Sequence, residues 1–182
     1  MSLQSWQETL IANVAVGPTI TATTISSILP PDCVYTLPAN FFSVGKKMRI
    51  IAVGQTTTTV TTPGTKIFTV NFGGIAVFTS PAMALNIVAG TYSWKLELLM
   101  NCTAIGSGTL ATIKTLGMFT SDSVIGSAAP GVGGVTTMML PNGPPVNGPG
   151  FSSVTSQAVD LLVTNSVNDG EILHGYRLES FN

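Results

Sequence analysis

The stretch YSWKLELLMNCT, residues 92–103, sets how the whole chain folds on paper. Trp94, Leu96, Leu98, Met100 and Cys102 take every second position, Lys95, Glu97 and Asn101 take alternate ones, and only Leu99 breaks the pattern. Successive side chains of a strand point to opposite faces, so this period of two predicts a strand with one face against a core and one against water.

The same period recurs outward from that strand. Met48, Ile50 and Ala52 alternate with Lys47, Arg49, Ile51 and Val53, which predicts a strand over about 46–59. Residues 61–65, TTPGT, then read as a hairpin turn with Pro63 at i+1 and Gly64 at i+2, as a type II turn requires. Residues 66–72 are expected to return antiparallel from it. Asn71-Phe72-Gly73-Gly74-Ile75 reads as a second tight connection, glycine supplying the positive φ, before a strand at 75–78. Further strands are predicted near 108–120, 158–164 and 171–181. No window sustains the i, i+3, i+4, i+7 spacing of a capped helix, so helix is expected only as short turns at 5–10 and 38–42. The class is all-β, with about eight antiparallel strands in a two-sheet sandwich or barrel.

Two segments differ from this body. Residues 1–32 look unlike the body: Ala12 to Ile28 is apolar and Thr-rich and ends in Leu29-Pro30-Pro31-Asp32, as an extended N-terminal arm or a pair of edge strands would. The division expected is therefore an arm at 1–32 and one domain at 33–182. Within that domain, residues 126–150 hold five of the eleven prolines. Most of this Gly/Pro-rich stretch cannot join a central ladder and reads as a long loop, with 135–140 as a short edge strand or anchoring apolar patch.

Composition bears on function. Only 8% of the 182 residues are charged and 45% are hydrophobic, whereas about 25% charged residues is usual for a soluble domain. Mean hydropathy is +0.46. A chain with so little charge leaves apolar surface that is economically hidden by permanent assembly. No stretch reaches the 18 or so uninterrupted apolar residues of a membrane-spanning helix, which argues against a membrane partner. The first residues lack a basic segment followed by an apolar one, so no secretory signal is expected and residence begins in a cytoplasm. A net charge of −1 is too balanced for a protein whose task is to neutralise phosphates, which argues against nucleic acid.

Catalytic chemistry is thinly supplied. His174 is the only histidine and reads as a strand or turn residue without a role as a base. The acidic residues Glu8, Asp32, Glu97, Asp122, Asp160, Asp169, Glu171 and Glu179 are scattered, and Asp169 and Glu171 read as a turn residue and a strand-start residue. Cys33 and Cys102 are 69 positions apart, have no metal-ligand spacing, and read as reduced, packed thiols. The GVGG at 131–134 lacks the flanking strand, helix and lysine of a phosphate loop. Lys46, Lys47 and Arg49 read as solvated or interface charge on one strand, with no aromatic ladder for single-stranded nucleic acid. The chain is therefore read as non-enzymatic, with no catalytic, cofactor-binding or metal residue assigned and no cofactor expected.

Four stretches carry a resemblance: YTLPANFFSVGKKMRI (35–50), TTPGTKIFTVNFGGIAVF (61–78), WKLELLMNCTAIGSGT (94–109) and AVDLLVTNSVNDGEILHGYRLE (158–179). They resemble structural proteins of tailed bacteriophages, and WQETLIANVAVGPTITA (6–22) looks like the N-terminal arm of some members. The resemblance covers most of the chain and is one of strands and turns, so it transfers no functional residue. It implies a jelly-roll β-sandwich on the virion: a decoration or cement protein on the capsid exterior, binding the major capsid protein and forming a homo-oligomer, a trimer before a dimer. In that setting the arm and the 126–150 loop would contact the shell or a neighbouring copy. The rival reading is a tail-fibre or receptor-binding jelly-roll module that contacts host glycan.

Overall fold

The structure, a computed structural model, describes residues 6–58, 64–85, 88–125 and 135–181. Among these residues it is built of twelve strands: β1 (Gln7–Asn13), β2 (Ser26–Ser27), β3 (Tyr35–Leu37), β4 (Lys47–Thr58), β5 (Thr65–Phe72), β6 (Ile75–Thr79), β7 (Met83–Ala84), β8 (Gly90–Ala104), β9 (Thr112–Ile125), β10 (Val135–Leu140), β11 (Gln157–Asn165) and β12 (Gly170–Phe181). A single 3-10 turn covers Pro31–Cys33. Two antiparallel sheets form, one ordered β1-β12-β4-β8-β9-β10 and the other β2-β11-β5-β6, with β3 and β7 pairing with β11 and β5. The class is all-β, a sandwich of two sheets.

Alternation along β4, β8, β5 and β11 makes much of the core. Met48, Ile50 and Ala52 of β4, and Trp94, Leu96, Leu98, Met100 and Cys102 of β8, are buried on the face of the larger sheet. Phe68, Val70 and Phe72 of β5, with Val159, Leu161 and Val163 of β11, meet them from the smaller sheet. Aromatic rings join the layers: Phe68 lies 5.2 Å from Trp94 and 5.4 Å from Phe119, centroid to centroid. At the other end Phe72, Phe42 and Phe151 close a second cluster. Separations of this size are those preferred by edge-to-face and offset rings.

The expected return of 66–72 beside the preceding strand is not what forms. β5 pairs with β6 and β11 in the opposite sheet, and both edges of β4 are taken by β8 and β12. The chain changes sheets there because the inner faces of β4 and β5 pack on each other across the core. Residues 61–63 of the expected turn lie outside the described residues. The expected helical turn at 5–10 is also corrected, since Gln7–Asn13 is a strand added to the edge of β12. At 38–42 the chain makes a tight turn rather than a helix: the Phe41 N–H donates to the Pro38 carbonyl at 3.2 Å and Asn40 has φ +59°. The strand expected at 108–120 begins at Thr112 and runs to Ile125. The tight connection at 71–75 forms as expected, with Gly73 at φ +56° and Gly74 at φ +89°.

For residues 7–29 the alternative of two edge strands is what the structure shows. β1 pairs with β12, Ile20 forms a bridge with Glu171, and β2 pairs with β11. Ser27 Oγ donates to Asp160 Oδ1 at 2.6 Å, and Ile28 and Leu29 enter the core. In the 126–150 stretch, residues 126–134 lie outside the described residues. Val135–Leu140 is an edge strand on β9, as read, and the following residues cross the sandwich margin, the Gly148 N–H donating to the Ile113 carbonyl at 2.8 Å.

Gly54 tests the packing of the two inner faces. It sits opposite Trp94, and a Cβ there would lie 2.5 Å from the indole Cζ2 and 2.8 Å from Cε2. Gly54→Ala must displace the ring or the strand, an overpacking that costs about 1–3 kcal/mol. The same Cβ would lie still closer to the Ile172 carbonyl oxygen, so urea unfolding should place the midpoint below that of the unsubstituted chain; an unchanged midpoint would contradict this close packing.

Candidate functional site

The residues singled out in the sequence do not converge. His174 is exposed and occupies the register shift between Leu173 and Gly175 in the β12–β4 ladder, the extra residue of a bulge. It borders a shallow depression of about 370 Å³ with Val53, Ser93, Lys95, Thr120 and Asp122. Among the described residues no hydrogen bond ties the imidazole to a hydroxyl or carboxylate. Cys33 and Cys102 are buried free thiols, and burial raises Cys102 above the usual thiol range, partly offset by a backbone hydrogen bond at Ala104. No group of three or more His, Cys, Asp or Glu side chains that could hold a metal is found among the described residues.

The basic cluster is largely consumed within the chain. Lys46 Nζ lies 3.7 Å from the centroid of Phe41. Arg49 grips Glu179 with Nε at 2.6 Å and Nη2 at 2.5 Å, and Arg177 Nη1 reaches the other oxygen at 3.0 Å. Glu179 has no exposed side-chain surface because these two guanidiniums close over it. Burial pushes its carboxyl up, but the bonds from Arg177 and Arg49 outweigh that and hold it below the usual carboxylate range. Of the trio only Lys47 is exposed, Lys46 and Arg49 being half-buried.

Beside this ionic group, the outer face of the larger sheet carries an apolar stripe. Leu99 lies opposite Arg49 and Leu116, and Met118 lies opposite Glu97 and Met139. Leu99, Leu116, Met118 and Met139 are 40–54% exposed. Leu99, the one irregularity in the 92–103 alternation, is thus an outward residue that belongs to this stripe.

A second constellation was not foreseen. Lys66 is fully buried; its Nζ pairs with the Glu171 carboxylate and donates to Thr56 Oγ1 at 2.7 Å. Asp169 and Asn165, both 1% exposed, stand beside it. Burial lowers the Lys66 amine to about 7, with the Asp169 charge pulling the other way. Desolvation is the larger effect and the Asp169 charge the smaller, as expected where an amine is withdrawn from water. Asp169 and Glu171 were placed correctly as turn and strand-start residues, but their burial was missed. The signal lay in β5, where Lys66 has the same parity as the inward Phe68, Val70 and Phe72.

Compared with known proteins, the chain matches no protein-family model and no curated protein sequence.

The Arg49–Glu179–Arg177 group carries a pH signature. Glu179 has a lowered pKa in the fold, so the unfolded chain binds more protons in the acid range; its stabilisation is present above the ordinary 4.5 and is lost as pH falls through the lowered folded value. The excess unfolding free energy of the unsubstituted chain over Glu179→Gln should therefore shrink on acidification below 4.5. Asp160, raised by burial, has the opposite sign but is common to both proteins and cancels. Parallel curves in a pH series of denaturant melts would contradict this account.

Proposed function

We propose that this chain is a non-enzymatic virion structural protein, a jelly-roll sandwich that binds the outside of a tailed-bacteriophage capsid and cements its shell subunits. The observation that carries the proposal is the outward stripe of Leu99, Leu116, Met118 and Met139, bordered by Arg49, Glu97, Glu179 and Arg177, on a chain with only 8% charged residues. Apolar surface rimmed by ions is what a protein–protein contact uses.

The jelly-roll topology is supported by nested pairing. β5 pairs with β6, β4 with β8, β2 with β11 and β1 with β12, as in a long ribbon folded back on itself and rolled into two facing sheets. β9 and β10 extend the larger sheet beyond this roll. The stretches that carry the phage resemblance fall on the β3 turn, the β5–β6 connection, β8 and the β11–β12 pair.

A cement protein contacts a repeating lattice at many equivalent points, so modest single contacts multiply through effective concentration. The partners are the major capsid protein and further copies of this chain, a trimer placed before a dimer because it would match a local three-fold of the shell; closed symmetry in either hides a sheet face. Assembly takes place in the cytoplasm of the host bacterium. The second reading, a tail-fibre or receptor-binding module for host glycan, draws on the depression beside Lys95, Asp122 and His174. It lacks an exposed ring there, because Trp94 is 3% exposed and packs inward.

Counting this chain against the major shell protein in purified particles separates the two. A number comparable to that of the shell protein fits cement, and a few copies per particle moves the protein to the tail. Leu116→Thr with Met118→Thr removes apolar surface at exposed positions of β9 while keeping a residue type that strands favour and adding no charge opposite Glu97. That double variant should fold and fail to decorate particles; normal decoration would remove the stripe as the contact.

A further inference from the structure

The cluster around Lys66 places an amine, a carboxamide and a carboxyl group together in the dry interior. Lys66 of β5 is directly opposite Asn165 of β11 in the antiparallel ladder. Both side chains point inward, at 0% and 1% exposure. Side chains directly opposite in such a pair have Cβ atoms about 4.5–5.5 Å apart, within reach of a lysine bending back onto its neighbour. Glu171 approaches from the facing sheet and touches the amine.

Three further observations favour a reaction over a static ion pair. A buried ammonium with a carboxylate is costly, and here desolvation lowers the amine to about 7, which eases the passage of its proton to the carboxylate that touches it. A neutral amine is a nucleophile. Asn165 Oδ1 accepts no hydrogen bond, and its Nδ2 makes only a 3.4 Å contact to the Asp169 carbonyl, so the carboxamide is not committed elsewhere. Glu171 Oε1 is likewise without a donor, so that oxygen is free to carry a proton while the carboxylate touches the amine.

We propose that Lys66 and Asn165 condense into an intramolecular isopeptide bond that covalently staples β5 to β11, with Glu171 carrying the protons. The Lys66 Nζ lone pair forms a bond to Asn165 Cγ, and the C=O π pair moves onto Oδ1. Glu171, having taken a proton from the amine, donates to that oxygen and so stabilises the tetrahedral intermediate. When the carbonyl re-forms, the Cγ–Nδ2 bond breaks, and the proton passed through Glu171 leaves on Nδ2 as ammonia. One amine and one carboxamide give one secondary amide and one ammonia, with no oxidant, reductant or co-substrate. Glu171 is the proton carrier and Asn165 the acyl donor, because a carboxylate touching an amine takes up its proton, whereas a carboxamide does not ionise. Asp169, the other acid of the cluster, bears on the amine through its charge and lies against Gly64, where a Cβ would meet its carboxylate.

The test is the intact mass of the purified full-length chain under denaturing conditions, followed by sequencing of its proteolytic peptides. The expected mass is lower than that of the sequence by one ammonia, with a branched peptide joining Lys66 to Asn165. Lys66→Arg, Asn165→Ala and Glu171→Gln should each restore the full mass of their own sequence. Asn165→Asp should still cross-link, but with loss of one water. The unsubstituted chain alone keeps the proposal falsifiable if variants fail to fold: a full, undiminished mass overturns it. A loss of water with Lys66 joined to Glu171 or Asp169 overturns it equally.

Discussion

The whole sandwich depends on the parity of side chains along β4, β8, β5 and β11. Each of these strands has one face sealed against the same core, so a slip of one residue in any of them would turn its entire apolar set into water and bury its polar set. Such a penalty fixes register without help from turns. It holds Gly54 against Trp94, Leu98 against Gly117 and Val163 against Phe68. Lys66 and Asn165 are captives of the same rule, since their parity is that of Phe68 and Val163, and the core takes them in although neither is apolar.

Edges are the second problem of a two-sheet protein, because a free edge offers unpaired backbone groups to any passing strand. The N-terminal residues solve much of it within the chain. β1, Gly17 and Ile20 run along the outer side of β12, and β2 covers part of the outer side of β11. β10 does the same for β9 at the opposite end of the larger sheet. Ile28 and Leu29 anchor the N-terminal segment by core burial, so the boundary at 32 separates segments by their pairing and not by their packing.

What could be read from the sequence follows from which forces are local. The strands at 47–58, 90–104, 157–165 and 170–181 were legible because alternation is written residue by residue, and the glycine connection at 73–74 because positive φ has a chemical signature. The sheet to which a strand belongs is not local. A Thr-Thr-Pro-Gly-Thr turn signal suggested that β5 returns beside β4, but the decision was made by competition with β8 and β12 for the edges of β4, partners far along the chain. The strand character of 7–13 was hidden for a related reason: its residues are mostly exposed, so it shows little alternation and forms because β12 offers an edge. Of the two constellations, the outer stripe was half visible as the irregular Leu99. The Lys66 cluster was visible only to a strict application of parity, because the habit of placing lysine in water overrides the pattern.

The ionic groups of this chain are placed economically, which bears on how the two faces of the larger sheet differ in use. With so few charges, the outer face spends several on one compact group in which Arg49 and Arg177 enclose Glu179, and Lys95 and Arg49 approach Glu97. Exposed pairs of this kind add little stability singly, and the enclosed Glu179 is the exception because it is desolvated and multiply bonded. A face arranged chiefly for solubility would scatter its charges among the apolar positions. Here most are gathered to one side, leaving Leu99, Leu116, Met118 and Met139 contiguous, so a partner seated on that stripe would bury apolar area beside ions already paired within the chain, with Lys114 exposed two positions from Leu116 at its end. The inner face does the reverse: it admits an amine and two carboxyl groups into a place where water cannot satisfy them. Charge in the core is costly unless it is paired or removed, and the condensation of Lys66 with Asn165 is one route by which the ammonium would cease to exist.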